Sequence, residues 1–249
     1  MLVTGSSRGI GLAIARAFLE EEADVTLNGR DQAGLDRLRH ELARQFPERS
    51  ILALGGDVTD RAALARLHQA ILTAWGGLDI LVANVGSGKS VPDPLPAPED
   101  WNRMFQVNFD SAVAVAREFY PLLKTAGGNI LFIASIAGVE AIGAPAGYTA
   151  AKSALIAFAK HLSRQAAGDG MRVNCIAPGN IYFEGGTWAE KALADPERVQ
   201  QMLEVAVPLR RFGTPEEIAA AAVFLASERS AFTTGACLIV DGGQTVSFI

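Results

Sequence analysis

The stretch Leu2-Val3-Thr4-Gly5-Ser6-Ser7-Arg8-Gly9-Ile10-Gly11 passes from a short apolar run, through a glycine-rich segment, into an amphipathic pattern over residues 12–22. Its glycines are spaced G-x-x-x-G-x-G. Gly5 and Gly9 can take backbone conformations closed to other residues, and Gly11 lets a helix lie close to the strand before it. Free N–H groups at the start of such a helix favour a pyrophosphate. A tight strand–helix turn would carry similar glycines. The position between the first strand and an amphipathic helix favours the phosphate loop. Only three residues precede Thr4, so the first strand is expected to be short, or its natural start to lie ahead of Met1.

Outward from this loop, short apolar runs rich in β-branched residues alternate with amphipathic ones. The runs lie at 2–3, 25–27, 51–54, 78–83, 129–134, 172–176 and 237–240, and helical patterns occupy 12–22, 32–46 and 61–75. This alternation predicts an α/β fold whose parallel sheet is buried on both faces by helices. Two stretches break the rhythm. Pro92, Pro94, Pro96 and Pro98 make 91–98 an extended linker, after which Glu99 and Asp100 open one long helix running to about Lys124. Residues 178–208 are too long for an ordinary connection and are expected to be functional. Their middle, 188–205, is expected to form one or two helices covering a pocket.

With 249 residues, 49% hydrophobic and 20% charged, the chain has ample material for one large domain. The net charge of −5 gives no basic footprint for nucleic acid. No basic amphipathic helix suits a membrane surface, and no apolar run is long enough to span one. Residues 1–11 lack the pattern of a signal peptide, so the expected location is the cytoplasm. Cys175 and Cys237 lie in apolar runs without metal-ligand spacing, so they are expected to be buried reduced thiols, with no metal site. His40, His68 and His161 sit on helical stretches among polar residues and are expected to serve the surface or packing.

The second strand bears on the ligand. It reads Val25-Thr26-Leu27-Asn28-Gly29-Arg30-Asp31. An NAD site wants a carboxylate at the strand end, bonded to the ribose hydroxyl. Gly29 stands there instead, followed by Arg30, with Arg8 facing the same region. Two guanidinium groups suit a 2′-phosphate. Solvated surface arginines are the bland alternative, and Asp31, as a displaced ribose acid, keeps NAD(H) open. NADP(H) is the preferred reading. Asp57-Val58, at the end of the third strand, is expected to hold the adenine.

Tyr148 and Lys152 are four residues apart at the start of a helical stretch, so both face one side. A nearby ammonium would lower the phenol from its usual pKa of about 10, toward what a general acid/base needs. The pair alone is common. Here it follows the strand Ile130-Leu131-Phe132-Ile133-Ala134, which ends at Ser135. Ligands of a parallel sheet bind at the carboxyl ends of strands. Ser135 therefore stands where a hydroxyl polarises a carbonyl, or else caps a turn.

Thr4 to Gly11, Asp57-Val58, Ala83-Asn84-Val85-Gly86, Asn108, Ser135, Tyr148 with Lys152, and Pro178-Gly179 occur in one order. In that order and spacing the sequence resembles the short-chain dehydrogenase/reductase family along nearly its whole length. The resemblance implies a single Rossmann domain over 1–249, with a doubly wound, seven-stranded parallel sheet in the order 3-2-1-4-5-6-7. A substrate lid at about 181–208 would precede the last helix. It implies an oxidoreductase that interconverts a small-molecule carbonyl and an alcohol by hydride transfer with NADP(H). Tyr148 would exchange the proton, Lys152 hold the nicotinamide ribose and lower the tyrosine pKa, Ser135 orient the carbonyl, and Asn108 hold a water in a proton relay. The cofactor would lie on Gly5, Ser7, Arg8, Gly9, Ile10, Gly11, Arg30, Asp57, Val58, Asn84, Gly86, Pro178, Gly179 and the Ile181 backbone, besides Tyr148 and Lys152.

The pattern is similar to 3-oxoacyl-thioester reductases and to sugar or polyol dehydrogenases. Departures from it are Ala83 and Val85 in place of the family's Asn and Ala, and Phe183 in place of its threonine. Basic residues that dock a carrier protein are not found at Gly127-Gly128-Asn129 or Gly168-Asp169-Gly170, so a carrier-bound substrate is not expected. Tyr182, Phe183, Trp188, Met202 and Leu203 suggest a partly apolar substrate, with Trp188 packing over it or anchoring the lid. Family members are commonly oligomers, so a homodimer or homotetramer is expected through helices 100–124 and 148–167 and the 235–243 segment.

Two rival readings remain. Ala83 to Ser90 nearly matches a phosphate loop ending in Gly-Lys-Ser, but Ala replaces its first glycine and a proline linker follows where a helix is required. A non-catalytic NADP sensor or scaffold on the same fold is the other; it would have no need of all four catalytic residue types.

Overall fold

In a computed structural model that describes residues 1–91 and 93–247, strands and helices alternate as expected. The first half runs β1 (Leu2–Val3), α1 (Gly9–Glu20), β2 (Val25–Gly29), α2 (Gln32–Gln45), β3 (Ile51–Gly55), α3 (Arg61–Trp75) and β4 (Ile80–Ala83). The second half runs α4 (Pro98–Phe105), α5 (Ser111–Ala126), β5 (Asn129–Ile133), α6 (Ala146–Ala166), β6 (Arg172–Pro178), α7 (Thr187–Ala194), α8 (Pro196–Ala206), α9 (Pro215–Ala226) and β7 (Cys237–Val240). The seven strands pair in parallel in the order β3-β2-β1-β4-β5-β6-β7. Two-residue β1 sits at the reversal point, with Leu2 between Thr26 of β2 and Leu81 of β4. Crossover helices keep the strands parallel and put the open loops at their carboxyl ends.

Each face of the sheet carries its own core. One packs Leu81, Ile130, Phe132 and Val173 under Phe119, Leu123 and Leu155 of α5 and α6. The other packs Val3, Leu27, Val82 and Leu131 under Ile14 and Phe18 of α1 and Ile218 and Ala222 of α9. Because both faces are covered, β2 and β5 are buried along their whole lengths, alternation notwithstanding.

Local chemistry sets the helix ends. Asp60 accepts from Ala62 N–H at the start of α3, and Gly76 ends that helix in the left-handed region. Thr214 and Glu217 form a reciprocal capping box at the start of α9, with Pro215 at the first helical position. At the other end of α9 the Arg172 guanidinium donates to the carbonyls of Leu225, Ala226 and Ser227.

Several boundaries differ from the sequence reading, four of them for a clear local reason. The first helix begins at Gly9 rather than 12, because the last two glycines of the loop lie inside its first turn. The fourth strand begins at Ile80, which stands opposite Asn129, the first residue of β5. Pro98 is not the end of a linker but the first residue of α4, where its fixed φ suits a helix start. Pro92 lies outside the described residues. The single long helix from Asp100 is interrupted by a π turn at Gln106–Asp110, where Ser111 N–H reaches back to the Gln106 carbonyl. Side chains close the widened turn: Asn108 Nδ2 donates to the Met104 carbonyl (3.0 Å) and Ser111 Oγ to that of Val107 (2.7 Å).

The connection between β6 and α9 holds two helices, α7 and α8, as its length suggested. Cys175 and Cys237 face each other across β6 and β7. Cys175 is buried and Cys237 partly so, and burial pushes the Cys237 thiol up to about 11 and Cys175 still higher, so both are poor thiolate formers. His68 pairs with Glu118 (2.9 Å) and stacks on Phe119, a packing role. Among the described residues, no helix is long and apolar enough to cross a membrane, and no group of side chains could hold a metal ion.

Candidate active site

The glycine loop joins β1 to α1. Gly5 and Gly9 have φ of 63° and 56°. A Cβ on Gly11 would fall 2.4 Å from the Gly5 carbonyl oxygen, so only glycine lets α1 pack here. Two neighbours hold the loop. Asn84 Nδ2 donates to the carbonyls of Thr4 (3.0 Å) and Gly5 (3.2 Å) from the end of β4. Ser6 Oγ donates to the Val3 carbonyl and accepts from Asn28 N–H on β2. Ser7 is exposed beside Gly29, and a Cβ on Gly29 would lie 3.4 Å from Ser7 Oγ.

At the same sheet edge Arg30 is exposed, and the Asp31 carboxylate leans against Gly34 in the first turn of α2. Asp57 accepts from the N–H and hydroxyl of Thr59 (2.9 and 2.7 Å). Those bonds, with the charge of Arg30, hold its carboxyl below the usual range. The Val58 side chain is in the core. Ile10 is partly buried against the α1 face of the sheet.

Tyr148 is on the first turn of α6 and Lys152 one turn later, with its Nζ 5.9 Å from the Tyr148 ring centre. Ser135, which immediately follows the buried end of β5, is close enough to act on the Tyr148 phenol. Ser135 Oγ accepts from Ala137 N–H (3.1 Å), which fixes it in a 3-10 turn. Lys152 Nζ donates to the Ile133 carbonyl (2.8 Å). A Cβ on Gly86 would lie 3.0 Å from both Lys152 Nζ and Asn108 Oδ1, so Gly86 is the point where the β4 loop meets this cluster.

One expectation changes. The Tyr148 phenol is shifted upward, not downward: its burial dominates and the nearby Ser135 hydroxyl only partly opposes it. Lys152 aims its ammonium at the Ile133 carbonyl, and burial brings its own pKa down to about 8. The Asn108 side chain is engaged by the protein itself. Its Nδ2 donates to the Ser87 carbonyl (3.0 Å) and the Met104 carbonyl, and its Oδ1 accepts from Ser87 N–H (2.9 Å). The side chain props the loop after β4.

The β6–α9 connection reaches the glycine loop and the loop after β4. Pro178 ends β6, and Gly179 packs on Asp241, where a Cβ would meet Asp241 Cα at 2.7 Å. Ile181 is buried and bridged to Gly213. Arg8, expected beside Arg30, reaches instead across to the connection and donates from Nη1 to the Gly185 carbonyl (2.9 Å). The Phe183 ring lies against Gly9. Lys89, in the stretch that resembles a phosphate loop, pairs with Glu190 of α7 (2.6 Å), and among the described residues no helix starts between Lys89 and Pro98, which removes the phosphate-loop reading. Trp188 and Tyr182 pack on Phe212 at 5.5 and 5.6 Å, so Trp188 anchors the connection. Sequence reasoning missed these latches because they join residues far apart in the chain, with nothing local to announce them.

The chain is similar to known proteins along nearly its whole length. The family model described as Enoyl-(Acyl carrier protein) reductase matches residues 5–245. L-fucose dehydrogenase of Mus musculus is 37% identical over 253 residues, covering 100% of this chain and 89% of that protein. The 3-oxoacyl-[acyl-carrier-protein] reductase of Chlamydia muridarum is 36% identical, covering 98% and 96%. Among solved structures, L-sorbose reductase of Gluconobacter frateurii, complexed with NADPH and L-sorbose, superposes with a TM-score of 0.93 at 33% identity, covering 99% of this chain and 96% of that one. With its sheet order, its glycine loop and these relatives taken together, the chain belongs to the short-chain dehydrogenase/reductase family and is an oxidoreductase acting on CH–OH and C=O groups.

Proposed function

We propose that the protein reduces a small-molecule ketone or aldehyde, or oxidises the matching alcohol, with NADP(H), and that Tyr148 is its general acid/base. The observation that carries this is Tyr148 beside Ser135 with Lys152 one turn along α6, next to a glycine loop of bare backbone. A side chain at Gly9 or Gly11 would collide with its neighbours, and such a loop fits a pyrophosphate at the start of α1. Bound there, the nicotinamide supplies or accepts the hydride. In reduction Tyr148 donates its proton to the substrate oxygen, to which Ser135 also donates. Lys152 holds the ribose. Asn108 acts as a positioning residue that fixes Ser87 and so the Gly86 wall. Residues 181–208 form the lid.

Cofactor choice follows from the end of β2. Gly29 offers no carboxylate and Asp31 leans toward α2, while Arg30 is exposed and able to take a 2′-phosphate. NAD(H) is the lesser reading. Following NADPH and NADH oxidation over a panel of acyl thioesters, diketones, keto sugars and steroids tests both points. Arg30→Asp is expected to lower the NADPH-over-NADH ratio of kcat/KM by about 10–100-fold, the worth of one charged hydrogen bond. A wild-type preference for NADH would sink the 2′-phosphate reading.

A carrier-bound substrate is not proposed. Lys124, the basic residue nearest the start of β5, is held by Asp169 (2.9 Å). The protein is further proposed to form a dimer or tetramer through α5, α6 and the β7 edge, with Phe232 fully exposed in the segment that leads into β7. Light scattering is expected to give a multiple of the chain mass; a single-chain mass would overturn this.

A further inference from the structure

We propose that Phe183 is a plug that competes with the dinucleotide for the glycine loop, an inference that rests on the nucleotide reading above. A Cβ built on Gly9 would fall 2.6 Å from Phe183 Cε2 and 2.8 Å from its Cδ2 and Cζ. That edge of the ring therefore touches bare Gly9 backbone, at the residue where the loop turns into α1. This is the surface a pyrophosphate has to approach, and a phenyl ring and a phosphate cannot both occupy it. The ring must swing out before the cofactor seats.

The means of swinging are local. Phe183-Glu184-Gly185-Gly186 is a turn closed by Gly186 N–H to the Phe183 carbonyl (3.0 Å), with Gly185 at φ 70°. Phe183 thus rides on a small turn ahead of α7 that can rotate without moving the sheet. The closed position is held by two latches, Arg8 to the Gly185 carbonyl and Lys89 to Glu190. Both are exposed, so neither is strong. Arg8 also couples the latch to the ligand. A phosphate that draws the guanidinium to itself forms a stronger, charge-assisted bond than the neutral carbonyl does, and this frees Gly185. Arrival of a phosphate therefore favours opening.

A plug of this kind reduces apparent affinity by the fraction of open molecules. Stopped-flow energy transfer from tryptophan to NADPH reads this directly. With an open population on the order of 10%, Phe183→Ala is expected to raise the association rate constant about tenfold, leave the dissociation rate constant unchanged, and tighten Kd about tenfold. Glu190→Gln, which frees the far latch without touching the loop, is expected to shift the association rate in the same direction by less. Thermal unfolding of each variant shows whether it is folded, and Phe183→Leu keeps an apolar side chain should Phe183→Ala fail to fold; its smaller side chain is expected to give an intermediate rate. Faster dissociation with an unchanged association rate would make the ring a cofactor contact and overturn the plug. Unchanged rates in a wild type that binds NADPH would overturn the plug alone. Absence of NADPH binding in every protein, wild type included, would overturn the nucleotide reading and the plug with it.

Discussion

Tyr148→Phe is expected to lower turnover about 10²–10⁴-fold, the usual contribution of a positioned general acid/base, while NADPH binding stays near the wild-type value. The two readouts differ because the substitution removes one oxygen beside Ser135 and leaves the glycine loop untouched. Ser135 Oγ keeps its bond from Ala137 N–H, so the 3-10 turn survives. The upward shift of the phenol adds a pH signature. A group whose pKa lies above its ordinary 10.0 stays protonated through neutral pH. Wild-type carbonyl reduction, which uses the phenol as donor, is therefore expected to be flat across the neutral range. Alcohol oxidation, which needs the phenolate, is expected to climb toward alkaline pH. Steady-state rates in both directions check this. Full activity in Tyr148→Phe would remove the tyrosine from the chemistry. NADPH binding without turnover of any carbonyl by the wild type would leave the sensor reading standing.

Lys152→Met is expected to abolish useful turnover and yet stabilise the protein at neutral pH. Lys152 is fully buried, and its pKa falls from 10.5 to about 8. In the unfolded chain the amine keeps its proton up to about 10.4. Between the two pKa values the unfolded chain binds more protons than the folded one, so stability rises with pH through that window. Below pH 8 the fold carries the full cost of the buried charge, roughly 3 kcal/mol for a shift of this size. Methionine removes that cost but forfeits the bond to the Ile133 carbonyl, worth about 1 kcal/mol. The net gain at pH 7 is about 2 kcal/mol, or about 5 °C in Tm for a chain of this length. The advantage should shrink as pH rises toward that of the free amine. Melting curves of both proteins at pH 7 and pH 10 measure it. A variant less stable than wild type at both values would show that the ammonium is a net asset to the fold.

The sheet was legible because buried parallel strands are continuous apolar runs, and because the glycine loop marks the reversal point where β1 lies between β2 and β4. Tyr148, Lys152 and Ser135 were legible from helix spacing and from their place after a strand. The direction of the Tyr148 shift was not. Spacing shows that an ammonium is near, but not that it turns to a carbonyl or that burial outweighs it. Arg8 could be placed on its loop but not aimed, because its partner is 177 residues away. The π turn at Gln106–Asp110 was invisible for a different reason. One extra residue in a long amphipathic stretch only slips the phase of its periodicity, and both flanks still read as helix.

That extra residue makes chain length itself a constraint on the site. Before it, Met104 packs on Gly147 at the foot of the helix that carries Tyr148; after it, Val115 and Phe119 face the sheet. A π turn takes up its extra residue locally, so the flanks keep the orientation of an unbroken helix one residue shorter. Deleting one residue between 106 and 110 would therefore heal the helix and leave Met104 and Phe119 near their places. What it would remove is the widened turn from which Asn108 reaches Ser87. The extra residue serves the loop after β4, not the packing of the two flanks.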